Sequence, residues 1–201
     1  MKTKIFFLIT TILSLNIYSQ ISFKEGYLIN NKNQKIKCLI KNFDWRNNPT
    51  EFEYKLSENE EPIKATIKSI KEFGVINYSK YIRYNVNIDR SSMNANKLSE
   101  YENPIFKKEV LFLKALIEGK ANLYEYIDGN LRRYFYSKKN MEIEQLIYKI
   151  YKTDKSKIRV NNKFRNQLFN NLKSPNFKLS IFKKLEYKKN DLLQFFFIFE
   201  L

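Results

Sequence analysis

From Phe23 to Tyr136 apolar side chains recur at every second position in short runs, separated by polar turns. A period of two is the pattern of a strand with one buried face. It predicts strands over Phe23–Ile29, Lys35–Phe43, Glu51–Leu56 with Phe52, Tyr54 and Leu56 inward, Ile63–Ile67 and Tyr81–Ile88. Between them, Asn30–Asn33 reads as a turn and Asp44–Pro49 as a loop. Ile67, Ile70 and Phe73 are spaced by three, which predicts a helical turn ending at Gly74. Residues 89–104 are polar and aperiodic, a long loop of the kind that serves function or moves. The clearest signal follows. Glu109–Ile117, Ala121–Ile127 and Leu131–Ser137 alternate, and Glu118-Gly119-Lys120 and Asp128-Gly129-Asn130 separate them, predicting an antiparallel meander with Leu111, Leu113, Ala115 and Ile117 on one face.

Beyond residue 140 the period changes. Leu146–Tyr151 reads as a last strand. Asn161 or Asn162 is placed to cap a helix through Lys173, with Phe164, Leu168 and Leu172 spaced by four and Ser174-Pro175 as its stop. Ser180–Tyr187 is ambiguous. Asn190 is placed to cap a second helix with Leu192, Phe195, Phe196 and Phe199 on one stripe. The same end, LLQFFFIFEL, has two other readings: the last strand of an outer-membrane barrel, or the stub of a longer protein. A barrel needs at least about eight alternating strands, and the Lys-rich segments before it do not supply them.

The first twenty residues have a pattern of their own. Lys2 and Lys4 precede the apolar run Ile5–Leu15, and Ser19 is the small residue before a cut that makes Gln20 the first mature residue. That order is a secretory signal peptide. The run is too short to span a bilayer, which takes about 20 apolar residues. The chain thus divides into a signal peptide (1–19), an antiparallel β domain (20–139) and a strand-plus-helix appendage (140–201). Strands first and helices last make the class α+β.

Composition narrows the chemistry. There is no His and one Cys, Cys38, so an intrachain disulfide, a Ser-His-Asp triad and a His/Cys zinc site are all excluded. Cys38 alternates with Ile36 and Ile40 on a strand and reads as a small core residue. No glycine-rich phosphate loop occurs among four glycines. The formal net charge is +16, and residues 131–201 carry 17 Lys and Arg against 6 Asp and Glu. A basic half can face nucleic acid or an anionic membrane. Yet Lys, Asn, Ile, Phe and Tyr make more than half of the chain, the bias of an A+T-rich coding sequence.

Two places carry candidate ligand-binding residues: Trp45 and Arg46 in the loop between strands, and Asp89 and Arg90 at the head of the long loop. Trp45 can stack on a ligand or plug one end of the core. Asp89 with Glu100 and Glu102 is the one set of carboxylates that invites acid–base work; the competing reading is an Asp–Arg pair with Ser91 and Ser92 closing a loop. Arg132–Lys139 and Tyr148–Lys152 interleave aromatic and basic residues, the recipe for single-stranded nucleic acid and equally for a Lys-rich solvated sheet.

The run Phe112–Tyr126, FLKALIEGKANLYEY, resembles a segment of uncharacterised exported envelope proteins of the Bacteroidota, and Gly26–Ile29, Trp45–Thr50, Asp89–Ser92 and Asn162–Leu168 fit the same likeness. In some of those proteins an outer-membrane β-barrel follows. The resemblance implies an envelope location and no catalytic assignment. The expectation is an exported periplasmic or outer-membrane-associated protein that acts by binding or as a structural module, with no cofactor and no metal. Its expected partner is an envelope component, the outer membrane or one of its proteins, rather than nucleic acid. A carboxylate-dependent enzyme at Asp89/Glu100/Glu102, and polyanion binding through the basic half, are the alternatives.

Overall fold

A computed structural model of the 201-residue chain describes residues 22–153, 157–172 and 177–200; the predicted signal peptide and the Ser174-Pro175 stop lie outside them. Ten strands form one antiparallel sheet. They are β1 (Phe23–Asn30), β2 (Lys35–Lys41), β3 (Glu51–Lys55), β4 (Ile63–Thr66), β5 (Ile70–Val75), β6 (Ser79–Asp89), β7 (Phe106–Ile117), β8 (Ala121–Asp128), β9 (Leu131–Lys138) and β10 (Glu144–Gln145). The spatial order is β10-β9-β8-β7-β6-β5-β1-β2-β3-β4. A separate hairpin pairs β11 (Lys149–Lys152) with β12 (Ile158–Asn161), and three helices follow: α1 (Phe164–Asn171), α2 (Leu179–Lys184) and α3 (Lys189–Glu200). The chain is mostly antiparallel β over its first two-thirds with helices at the end, an α+β fold.

Cross-strand partners share a face, so the registers sort the core. On one face Leu28, Phe73, Tyr81 and Phe112 join Ile40, Phe52 and Ala65 in one cluster. Phe52 stacks on Phe73 at 4.0 Å although β1 and β2 lie between their strands, so the sheet curls over this cluster. Further along the same face, Leu123, Tyr134 and Tyr136 carry the helices, with Phe164, Leu168, Leu172, Leu192, Phe195 and Phe196 buried against them. The opposite face of β6–β9 holds a third cluster built on Val86, Ile88, Leu111, Leu113, Tyr124 and Phe135. It is closed where β10 returns toward β6 and Gln145 Oε1 accepts the Asp89 N–H at 2.9 Å.

Several expectations are corrected. Residues 70–75 are a strand, because Phe73 and Val75 face one core while Gly74 leaves room for the Tyr27 ring. A Cβ on Gly74 would lie 3.0 Å from Tyr27 Cε1. Leu56 lies past the end of β3 and is half exposed. The register shift between Ala115 and Ile117 admits an extra residue, so Ile117 pairs with Leu123 and leaves the face of Leu111 and Leu113. The predicted strand 146–151 breaks because Leu146 and Tyr148 turn into the helix-bearing cluster; only Lys149–Lys152 pair, with a hairpin partner the pattern did not show. Neither Asn161 nor Asn162 is the cap of α1: Lys163 stands there without a side-chain cap bond, and Asn161 Oδ1 accepts the Lys163 N–H one step earlier. Asn190 sits inside the first turn of α3 rather than ahead of it. That helix excludes the barrel-strand reading of residues 192–200.

Both ends of α3 are fastened to the sheet. Lys189 Nζ donates to Glu125 Oε2 at 2.9 Å. Glu200 accepts the N–H groups of Lys120 in the β7–β8 turn and of Ala121 at the start of β8, at 2.8 and 3.0 Å. A Cβ on Gly119 would meet the Glu200 carboxylate, so a side chain there would push that carboxylate aside.

Candidate functional site

Asp89 ends β6 and Arg90 follows it, and alternation sends neighbouring side chains to opposite faces. They do not pair with each other. Asp89 is 2% exposed, and its Oδ1 accepts from the N–H and hydroxyl of Ser91 at 3.1 and 2.7 Å. Its backbone carbonyl accepts from Arg133 Nε at 2.8 Å, and Arg133 Nη2 also holds the Ser91 carbonyl. Arg133 is itself buried, and burial pulls its pKa below the ordinary value. Arg90 grips Glu109 of β7 through Nε and Nη2 (2.9 and 2.7 Å) and Asp128 of β8 through Nη1 at 2.8 Å, while Nη2 also reaches the Tyr126 hydroxyl. The Glu109 hydrogen bonds, then those of Tyr126 and Asp128, hold the guanidinium above its usual range, and Arg90 in turn holds Glu109 below the usual carboxylate range. This is a strut across two strands: every donor group of the fork is occupied.

The loop carboxylates do not join it. Glu100 and Glu102 are exposed, and their segment is fastened elsewhere: the Glu102 carbonyl accepts from Asn161 Nδ2, and Ser99 bridges to Tyr151 of β11. No hydrogen bond links either with Asp89 among the described residues, and no group of three or more His, Cys, Asp or Glu there is placed to hold a metal ion. The structure therefore does not assemble the carboxylate trio that the sequence suggested. Cys38 is buried, and burial pushes its thiol up to about 11, consistent with an inert core residue.

Trp45 packs edge-on against Phe73 and Tyr81, both at 5.6 Å, and so plugs the first core cluster. Arg46 beside it is exposed. One edge of Trp45 stays accessible in a cleft of about 140 Å³, shared with Tyr78, Tyr81, Asp44 and Lys114. Sequence reasoning missed Lys114. It lies between Leu113 and Ala115 on β7, projects to the Tyr81 face, and sets its ammonium 5.9 Å from the Tyr81 ring centroid. Among the described residues it has no hydrogen-bond or ion-pair partner. Burial, then repulsion from Lys189, pulls its pKa below the usual lysine range.

Beside this cleft sits an ion cluster built around a buried carboxylate. Glu125, 2% exposed on β8, meets Lys189 at 2.9 Å and Arg132 at 3.4 Å. A charged residue in the otherwise apolar run Leu123–Ile127 was its only signal in the sequence. Asn48 completes the region. β7 and β8 pair only near Lys114–Ile117 and then part. Asn48 fills the gap: its Nδ2 donates to the carbonyls of Phe112 and Glu125 at 2.8 and 2.9 Å, and its Oδ1 accepts the Ile127 N–H at 2.9 Å.

A wider open cleft of about 570 Å³ lies over β1 and β2, with Tyr27, Leu39, Leu56 and Ile76 for walls and Lys35 and Lys37 at its rim. Comparison of the chain with protein-family models, curated proteins and solved structures finds no match.

Proposed function

We propose that this is an exported envelope protein that works by binding rather than by catalysis. The signal-peptide pattern of residues 1–19 and the envelope-protein likeness support the location. The binding reading rests on one observation: the carboxylates proposed for acid–base work are not gathered into one group, and the charged groups around Asp89 and Arg90 serve to hold the fold together. Arg90, Glu109 and Asp128 brace two strands, and Asp89 is sealed under Ser91. The wider open cleft, over β1 and β2, is instead a surface of aromatic and aliphatic side chains with lysines in its lining. Such concave, mostly apolar surfaces with a few polar groups are where ligands bind.

The basic half supports the same reading over polyanion binding, because many of its cations have internal duties. Lys138 caps the Asn171 carbonyl at the end of α1, and Arg165 caps the Leu185 carbonyl just after α2. Cations at helix C-termini stabilise the unpaired carbonyls there. Lys149 and Lys163 pin Asn103 of the long loop. Among the described residues no helix is long and apolar enough to cross a membrane, so association through a bound partner or surface fits this chain better than helical anchoring.

Cross-linking in intact envelopes tests the proposal. A tagged chain expressed with its leader is expected in the envelope fraction, cross-linked to an envelope component. Recovery of the uncoupled protein in the cytoplasm would overturn it. So would a catalysed reaction abolished by Asp89→Asn at unchanged stability, which would install the carboxylate enzyme in its place.

A further inference from the structure

We propose that the cleft bounded by Trp45, Tyr78 and Lys114 is a binding site for a small monocarboxylate, anchored by the Lys114 ammonium. The inference deepens the binding reading above by naming a site and a ligand class.

The charge balance carries it. Lys114 is half-buried, and its ammonium meets no acceptor among the described residues. The two carboxylates that act on it do not neutralise it. Glu125 is already engaged by Lys189 and Arg132. Asp44 raises the Lys114 pKa less than either burial or Lys189 lowers it. Beyond the Tyr81 ring the half-buried cation has no partner among the described residues, and an anion brought to it gains a charge-assisted hydrogen bond in a medium less polar than water.

The walls select what carries that anion. Trp45, Tyr78 and Tyr81 bring rings to the cleft, and Asn42 and Asp44 stand among them, so the rest of the ligand meets both ring and polar surface. Ser79 adds a hydroxyl to the lining. The space, about 140 Å³, suits a ligand the size of a phenyl ring with a short acid arm. The Lys114 ammonium offers a place for one negative charge, and the Asp44 carboxylate in the same lining disfavours a doubly charged phosphate. The carboxylate can belong to a free acid or to the C-terminus of a peptide.

Trp45 is the only tryptophan in the chain, so its fluorescence reports occupancy without a label. The exported protein is titrated with 3-phenylpropionate, with 3-phenylpropanamide, and with the peptide Ala-Gly-Phe bearing a free or an amidated C-terminus. The expected result is a saturable change with the free acid, the free-ended peptide or both. Each amide should bind at least about tenfold more weakly, the value of one charge-assisted hydrogen bond. Lys114→Met should lose binding to the same degree without lowering the melting temperature, and Lys114→Arg should retain most of it. Response to the acid alone assigns the site to free acids, and response to the peptide alone to chain ends. Equal binding of acid and amide, unchanged binding by Lys114→Met, or no saturable response to either ligand overturns the site. Envelope cross-linking that persists without carboxylate binding removes this site and leaves the binding reading standing.

Discussion

The sharpest stability contrast in the molecule lies between two neighbouring phenylalanines of α3. Phe196 is fully buried among Leu123, Tyr134, Leu168 and Leu192, whereas Phe197, one residue on, is 64% exposed. Replacing Phe196 by Ala removes a phenyl ring and leaves a void of about 100 Å³; at about 24 cal/mol per Å³ the cavity accounts for about 2.4 kcal/mol. Lost burial of about 100 Å² of apolar surface adds about 2.5 kcal/mol at about 25 cal/mol per Å². Partial collapse of the site brings the total to about 3–5 kcal/mol. Phe197→Ala should stay within about 0.5 kcal/mol, as exposed substitutions do. Urea unfolding followed by circular dichroism measures both. The helix predicts this split, since 196 and 197 lie about 100° apart around its axis. A period-two strand would instead put Phe195 and Phe197 on one side. If Phe197→Ala costs as much as Phe196→Ala, or Phe196→Ala less than about 0.5 kcal/mol, the docking of α3 is wrong.

Two further perturbations probe the polar framework. Asn48→Ala removes three side-chain hydrogen bonds that join β7 to β8 and leaves two carbonyls and an N–H without them, so urea unfolding should show a loss of about 2–3 kcal/mol. The Arg90–Glu109 bridge holds the folded carboxylate below its unfolded pKa, so its stabilisation is complete above the unfolded value and fades as pH falls through the folded one. Wild type should therefore exceed Arg90→Gln in urea midpoint at pH 7, and the gap should narrow below about pH 4; a constant gap down to acid pH would show that the bridge contributes nothing through charge.

The strands were legible because a half-buried strand writes its period into the sequence. Phe52 alternates with Tyr54, and Leu111 with Leu113, and the Asp-Gly turn at 128–129 marks the hairpin with Gly129 at φ 59°. Reading failed where one residue changes the period. The extra residue before Ile117 moves that side chain across the sheet, and the three-residue spacing of Ile67, Ile70 and Phe73 spans a turn and a strand rather than a helix. The stripe of α3 was legible for the same reason as the strands, since Leu192, Phe195 and Phe196 follow the helical period. The site was less legible. The partners of Arg90 are 19 and 38 residues away, and nothing local announces them. Trp45 was recognisable as a candidate, but Lys114 looked like one more lysine on a strand. Only the fold shows that Lys114 shares a face with Tyr81, beside a carboxylate already engaged by two other cations.

The most direct test of an exported binding protein is the mass of its own N-terminus. The protein isolated from the envelope of the cells that make it should begin at Gln20, cyclised or free, with residues 1–19 gone. An intact Met1 on protein confined to the cytoplasm would contradict the account.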